Sequence, residues 1–323
     1  MKNRKAAVIG LGHVGAHTAN ALASQGIVDE IVLIDKDEDK VISEEQDLRD
    51  AQLYNEYTVN IHGGDFADLK DCDVIINCVG NIAMLLGRND RVIELGYNLR
   101  AVDSFADKIR ESGFDGVIIN ISNPCDVITR HLAMKTGLPE GRVFGTGTGL
   151  DSSRLVSAIS QKTGMNLHSI DALMMGEHGN MQFAPHSIFT FRGAPLASIV
   201  SDPEDLDWQE MEQLAIGGGW VTFSRKHCTE YGISATAARM ARAVLANEQV
   251  LLPASAPLNG EYGESGLFAG VPAIIGKDGI GQVVELPLNE EELFRFHECC
   301  QGIRANIEKA ALIESGELQV ELE

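Results

Sequence analysis

The stretch KAAVIGLGHVG, residues 5–15, decides the fold. A short apolar run ends in glycine, and Gly10, Gly12 and Gly15 then stand in the spacing GxGxxG as a helix opens. In such a turn the first glycine lets the chain reverse and the second lets a phosphate approach the backbone. The third packs helix against strand, and the N-terminus of the helix favours anions. Twenty residues beyond Gly15, the second apolar run EIVLID (30–35) closes on Asp35. A carboxylate there can accept hydrogen bonds from both hydroxyls of a ribose and repels a 2′-phosphate. The pattern therefore points to NAD rather than NADP, although Lys36 stands beside it. FAD and S-adenosylmethionine use similar turns, and a glycine-rich turn without a ligand has the same letters.

Outward from this unit the chain alternates strand and helix. After the helix HTANALASQG (17–26) come DKVISEEQDLRDAQ (39–52, helix), YTVNIHG (57–63, strand) and CDVIINCVG (72–80, strand). A long helix over 90–112, the strand GVIINIS (116–122), a helix over 127–137 and the strand RVFGTG (142–147) complete the half. Continuous apolar strands between helices predict a parallel sheet covered on both faces. The expected fold is α/β, a doubly wound parallel (Rossmann) sheet over 1–147, followed by an α+β substrate domain over 148–323. In that second half DALMMGEHG (171–179) reads as a strand. The run 206–226 reads as a helix broken at Gly217 to Gly219, where a bend is expected. ISATAARMARAVLANE (233–248) is a helix with a small-residue face, and 284–314 closes with an amphipathic helix.

Composition narrows the function classes. The formal net charge of −21 excludes a basic face for nucleic acid. No stretch approaches a membrane span, and the basic start MKNRK lacks the apolar core of a signal peptide, so a mature cytoplasmic protein is expected. Six cysteines show no CxxC pair and no Cys/His cluster of zinc spacing, so no metal is expected.

Four further stretches carry chemistry: ISNPCDVIT (121–129), GTGTGLDSSRL (145–155), GEHGN (176–180) and CTEYGISA (228–235). In this order the chain resembles the L-lactate/malate dehydrogenase family over essentially its whole length. In VGNIAMLLGRNDR (79–91), GGGW (217–220) and PAIIGKDG (272–279) it looks most similar to the L-2-hydroxyisocaproate dehydrogenases. The resemblance implies that His178 transfers a proton, that Asp151 is its carboxylate partner and that Arg154 clamps the substrate carboxylate. It further implies that Asn123 lies between cofactor and carbonyl, that Thr229 lies beside the substrate, and that Arg91 is the arginine of a closing loop. Arg88 competes for that last role, and Arg91 keeps the register to NLR (98–100). The cofactor residues expected are Gly10, Gly12, His13, Val14, Gly15, Asp35, Val79, Gly80, Ile121 and Asn123. The resemblance also implies a homo-oligomer, a tetramer or a dimer.

These residue types suit reduction of a 2-oxo acid, which needs a hydride at C2 and a proton on its oxygen. Histidine titrates near neutrality, and a carboxylate beside it stabilises imidazolium. Asp151 is also placed to cap the helix DSSRLVSAIS. The planar fork of Arg154 matches a carboxylate. The lid residues Ile82, Ala83, Met84, Leu85 and Leu86 are apolar, and no arginine near Ala83 would pair a second carboxylate, which argues against malate. Isobutyl exceeds methyl by three carbons, about 2.4 kcal/mol of burial. With small Gly232 and Ser234 near Thr229, this leads to an expected preference for 2-oxoisocaproate over pyruvate, the alternative being L-lactate dehydrogenase. Two other classes share the scaffold: NAD-dependent glycosidases with a metal on Cys and His, for which Cys125 is the candidate, and non-catalytic NAD-binding proteins.

Overall fold

The computed structural model describes residues 3–81, 91–200 and 206–318, without the side chains of 91–93. The lid residues 82–86 and Arg88 lie outside the described residues, as does the side chain of Arg91.

Six strands run parallel: β1 (Lys5–Ile9), β2 (Glu30–Ile34), β3 (Asn60–Gly63), β4 (Val74–Asn77), β5 (Val117–Asn120) and β6 (Val143–Gly145). The helices α1 (His13–Ser24), α2 (Glu38–Ala51), α3 (Arg91–Ser112) and α4 (Cys125–Thr136) connect them. The spatial order β3-β2-β1-β4-β5-β6 reverses direction between β1 and β4. That switch point, at the carboxyl ends of the strands, is where a doubly wound sheet leaves a crevice. Successive side chains of a strand point to opposite faces, and the strands obey this. Ala6, Val8, Ile31, Leu33, Val74 and Ile76 join one buried cluster, while Ala7, Ile9, Val32, Ile34 and Ile75 join another. Burial on both faces explains why these strands read as unbroken apolar runs.

The second half holds α5 (Gly149–Thr163), α6 (Trp208–Lys226), α7 (Tyr231–Leu245) and α8 (Glu290–Ser315). It also holds β7 (Val250–Asn259), β8 (Ser265–Gly276) and β9 (Gly279–Val283), which the sequence reading did not pick out. These strands do not form a separate sheet. They pair antiparallel onto the first six, through Gly145 opposite Ser255, and make one sheet of nine. The small-residue face of α7 covers the sheet of the first half: Ala237, Ala238 and Ala241 are fully buried with Ala6 and Val8. Ala310 and Ile313 of α8 sit on the opposite face with Ile75.

Three expectations change. Residues 171–179 form no strand; they make only isolated bridges, Asp171 to Thr190, Met175 to Phe183 and Gly176 to Gly270. The helix over 206–226 is not broken at its glycines, since α6 runs continuously through Gly217, Gly218 and Gly219. Asp151 does not cap α5, whose N-cap is Thr148; Asp151 sits in the first turn with its carboxylate directed sideways.

Candidate active site

The glycine turn is shaped by close approach. Gly10 has φ +89, and a side chain there would stand 2.9 Å from the backbone of Val79. A Cβ on Gly15 would lie 1.8 Å from the carbonyl oxygen of Gly10. At Gly12 a Cβ would meet nothing within 4 Å, and this residue opens onto a cavity of about 460 Å³. That empty space above a helix N-terminus is a cradle into which a pyrophosphate fits. The cavity is also lined by His13, Val14, Val79, Gly80, Ile121 and Asn123. Gly10, Gly15 and Asp35 shape the turn without lining it. Asp35 Oδ2 accepts from the Leu11 N–H at 2.6 Å and Oδ1 from that of Asp37 at 3.1 Å, which aims the carboxylate at the turn. His13 Nδ1 lies 3.0 Å from Glu230 Oε1.

Across the same cavity stand Asp151, Arg154, His178 and Thr229. Asp151 is 1% exposed and bridges the other two charged groups. Its Oδ2 lies 2.6 Å from His178 Nδ1, and its Oδ1 accepts from Arg154 Nη1 at 2.8 Å. With Nδ1 engaged, Nε2 is the ring atom left for a substrate. Burial works against a charged imidazole, but the charge and hydrogen bond of Asp151 outweigh it and raise the His178 pKa above its ordinary value. Burial likewise opposes ionised Asp151, and His178 and Arg154 together hold its carboxyl below the usual range.

Gly218 of α6 now has a physical account. A Cβ on Gly218 would lie 2.9 Å from Arg154 Cδ, and one on Gly219 would lie 3.6 Å from Nη1. A side chain at Gly218 would press on Arg154, so the helix carries glycine there at a loss of up to about 1 kcal/mol in propensity, while one at Gly219 would take up space beside the guanidinium. The room expected from Gly232 and Ser234 is absent. A Cβ on Gly232 would strike Leu150 at 2.6 Å, and Ser234 is buried near the carbonyl of Val14, 3.4 Å from its oxygen. Space beside the guanidinium comes from Gly219 instead, next to Ile216, Trp220 and Phe223.

Behind the cavity residues Asn98, Ser122 and Asn123 lies a polar lattice that sequence reasoning missed. Asn77 and Asn120 pair in register at the ends of β4 and β5, and Asn77 Nδ2 donates to Asn120 Oδ1 at 2.8 Å and to Ser122 Oγ at 3.0 Å. Asn98 of α3 donates to the Asn123 carbonyl at 2.5 Å. The signal was available, since asparagine at the end of an apolar strand is unusual. Cys125, the candidate for a metal site, instead packs into the core at 1% exposure with Sγ near Thr129, and burial pushes its thiol up to about 12.

Comparison with known proteins adds an independent line. Residues 4–145 match the NAD-binding domain of lactate/malate dehydrogenases and residues 148–313 their alpha/beta C-terminal domain. An L-lactate dehydrogenase of Fusobacterium nucleatum subsp. nucleatum is 38% identical over 312 residues, 95% of this chain and 97% of that protein. The ligand-bound crystal structure of the minor L-lactate dehydrogenase from Enterococcus mundtii superposes with TM-score 0.90 at 31% identity, covering 95% of this chain and 98% of that one. A malate dehydrogenase from Salinibacter ruber superposes with TM-score 0.87 at 28% identity, covering 97% and 99%.

Proposed function

We propose that this chain, which belongs to the lactate/malate dehydrogenase family and is an NAD-dependent 2-hydroxyacid oxidoreductase, works as an L-lactate dehydrogenase. The observation that carries the reading is the His178–Asp151–Arg154 bridge, facing the glycine turn across one cavity. NAD, when bound, supplies or receives the hydride at C2 of the acid. His178 gives its proton to the 2-oxo oxygen during reduction and takes it back during oxidation. Asp151 fixes the ring's orientation and favours its charged form. Arg154 has five donors, of which Asp151 engages one, and the others grip the substrate carboxylate as a fork. Asn123 holds the space between cofactor and carbonyl, Thr229 flanks the substrate, and Arg91, at the start of α3, polarises the carbonyl. Residues 1–147 would then serve the cofactor and residues 148–323 the substrate.

The L-lactate dehydrogenase names of the relatives favour pyruvate over a branched acid. The space left by Gly219 beside Ile216, Trp220 and Phe223 supports the second reading, 2-oxoisocaproate. Steady-state kcat/KM with NADH decides between them. We expect pyruvate to lead by at least about tenfold, and a lead for 2-oxoisocaproate would reverse the assignment. NADPH in place of NADH should lower kcat/KM strongly, because Asp35 repels a 2′-phosphate.

Among the described residues, no helix is long and apolar enough to cross a membrane. Six free thiols accord with the cytoplasm. Exposed Leu53 and Tyr54 beyond α2 offer an apolar patch for self-association, to be read by light scattering.

A further inference from the structure

A second buried carboxylate touches the same histidine. Asp126 lies in the first turn of α4, three residues beyond Asn123, and is 3% exposed. An acid in that position ordinarily serves its own helix N-terminus, yet α4 is entered through Pro124 with no side-chain cap. Both carboxylate oxygens are used elsewhere. Oδ2 accepts the main-chain N–H of His178 at 3.0 Å, and Oδ1 accepts the hydroxyl of Ser255 on β7 at 2.6 Å. Burial pushes Asp126 up to about 6, and the bonds from Ser255 and His178 pull the other way. Its charge is thus held by two hydrogen bonds in a place that disfavours charge.

We propose that Asp126 is a positioning residue for His178: it anchors the main chain that carries the imidazole, and its buried negative charge supplements that of Asp151. The proposal rests on the proton-transfer role given to His178 above. The charged groups around this pair come from α3, α4, α5, α6, α8 and the histidine loop itself. Asp151 and Arg154 belong to α5 and Asp126 to α4. Glu177, in the histidine loop, accepts from Asn306 of α8 at 3.2 Å, and Arg295 of α8 is paired with Glu212. Glu94 of α3 lines the cavity opposite. Asp151 and Asp126 favour a protonated ring, and Arg154 opposes it.

Asp126→Asn separates charge from shape. The amide oxygen can still accept from the His178 N–H, and the amide N–H can donate to Ser255, whose hydroxyl is free to rotate. Ser255→Ala leaves the carboxylate in place with one donor fewer, so it loses its charge at a higher pH. The test is a 15N NMR titration of the His178 ring in the full-length protein, beside the pH profile of kcat/KM for pyruvate with NADH. In the Asn variant we expect the ring's midpoint to move toward acid by about half a unit or more. We expect kcat to fall about three- to tenfold, as for a modest misplacement of an acid–base group, with KM nearly unchanged. The Ser255→Ala midpoint moves the same way by less. Parent and Asn variant should converge as the pH drops through about 6, where Asp126 itself takes up a proton.

Stability gives an independent sign. A carboxyl whose pKa is raised by folding contributes stability below its unfolded pKa, and that contribution is lost as pH rises through the folded value. The Asn variant should therefore unfold at a temperature no lower than the parent at pH 8. Titrations and profiles that overlay the parent would overturn the proposal and leave Asp126 a structural tie. So would a lower unfolding temperature with an unmoved midpoint. If the protein reduces no 2-oxo acid, the proposed function fails while the NMR titration still decides on Asp126.

Discussion

The glycine turn at residues 10–15 and the histidine loop at residues 176–180 face one cavity, yet they are built in opposite ways. The turn is local. Gly10, Gly12 and Gly15 sit within six residues; Gly10 and Gly15 need the absence of side chains against Val79 and each other, and Gly12 leaves the cavity open. The histidine loop has no such self-sufficiency. His178 is held from its ring side by Asp151 of α5 and from its backbone by Asp126 of α4. The guanidinium that shares Asp151 lies against α6 where Gly218 and Gly219 face it. A site for a common cofactor can thus be written in one short stretch, while a site for proton transfer is distributed over many elements.

Three substitutions would break or sharpen this contrast. The largest effect is expected from His178→Gln, which removes the acid–base group. We expect kcat to fall by about a thousandfold, within the usual contribution of such a group, while NADH affinity by fluorescence titration stays within about twofold. Loss of NADH binding would mean that the two sides do not work separately. Next comes Gly15→Ala, where the new Cβ meets a backbone oxygen that cannot step aside. Overpacking of this kind costs about 1–3 kcal/mol. Thermal unfolding should register it, and NADH binding should weaken about tenfold or more. The smallest effect is the most diagnostic. Gly218→Ala presses on Arg154 Cδ, the movable part of a flexible side chain. KM for pyruvate should rise about three- to tenfold, while alanine's helix preference keeps the unfolding temperature level or raises it. An unchanged KM would dissociate the α6 glycines from the guanidinium.

The same contrast explains what could be read in the sequence. The parallel half was legible because each strand is buried on both faces, so its letters carry the answer locally. His178, Asp151 and Arg154 were found by resemblance, and the structure brings both His178 and Arg154 within hydrogen-bond reach of Asp151. Asp126 was quoted within ISNPCDVIT and passed over, because its partners His178 and Ser255 lie 52 and 129 residues away. The glycines of α6 misled for a related reason. Propensity foretold a weak helix, whereas the cause lies in a side chain of α5. Strands β7 to β9 escaped notice, and their Gly- and Pro-containing runs are stabilised by pairing with β6 and with one another.

That pairing has a mechanical consequence. The junction of β6 with β7, Gly145 opposite Ser255, joins the two halves in one sheet, and α7 and α8 from the second half brace both of its faces. Any swing of one half against the other would have to strain that strand pairing and the packing of both helices at once.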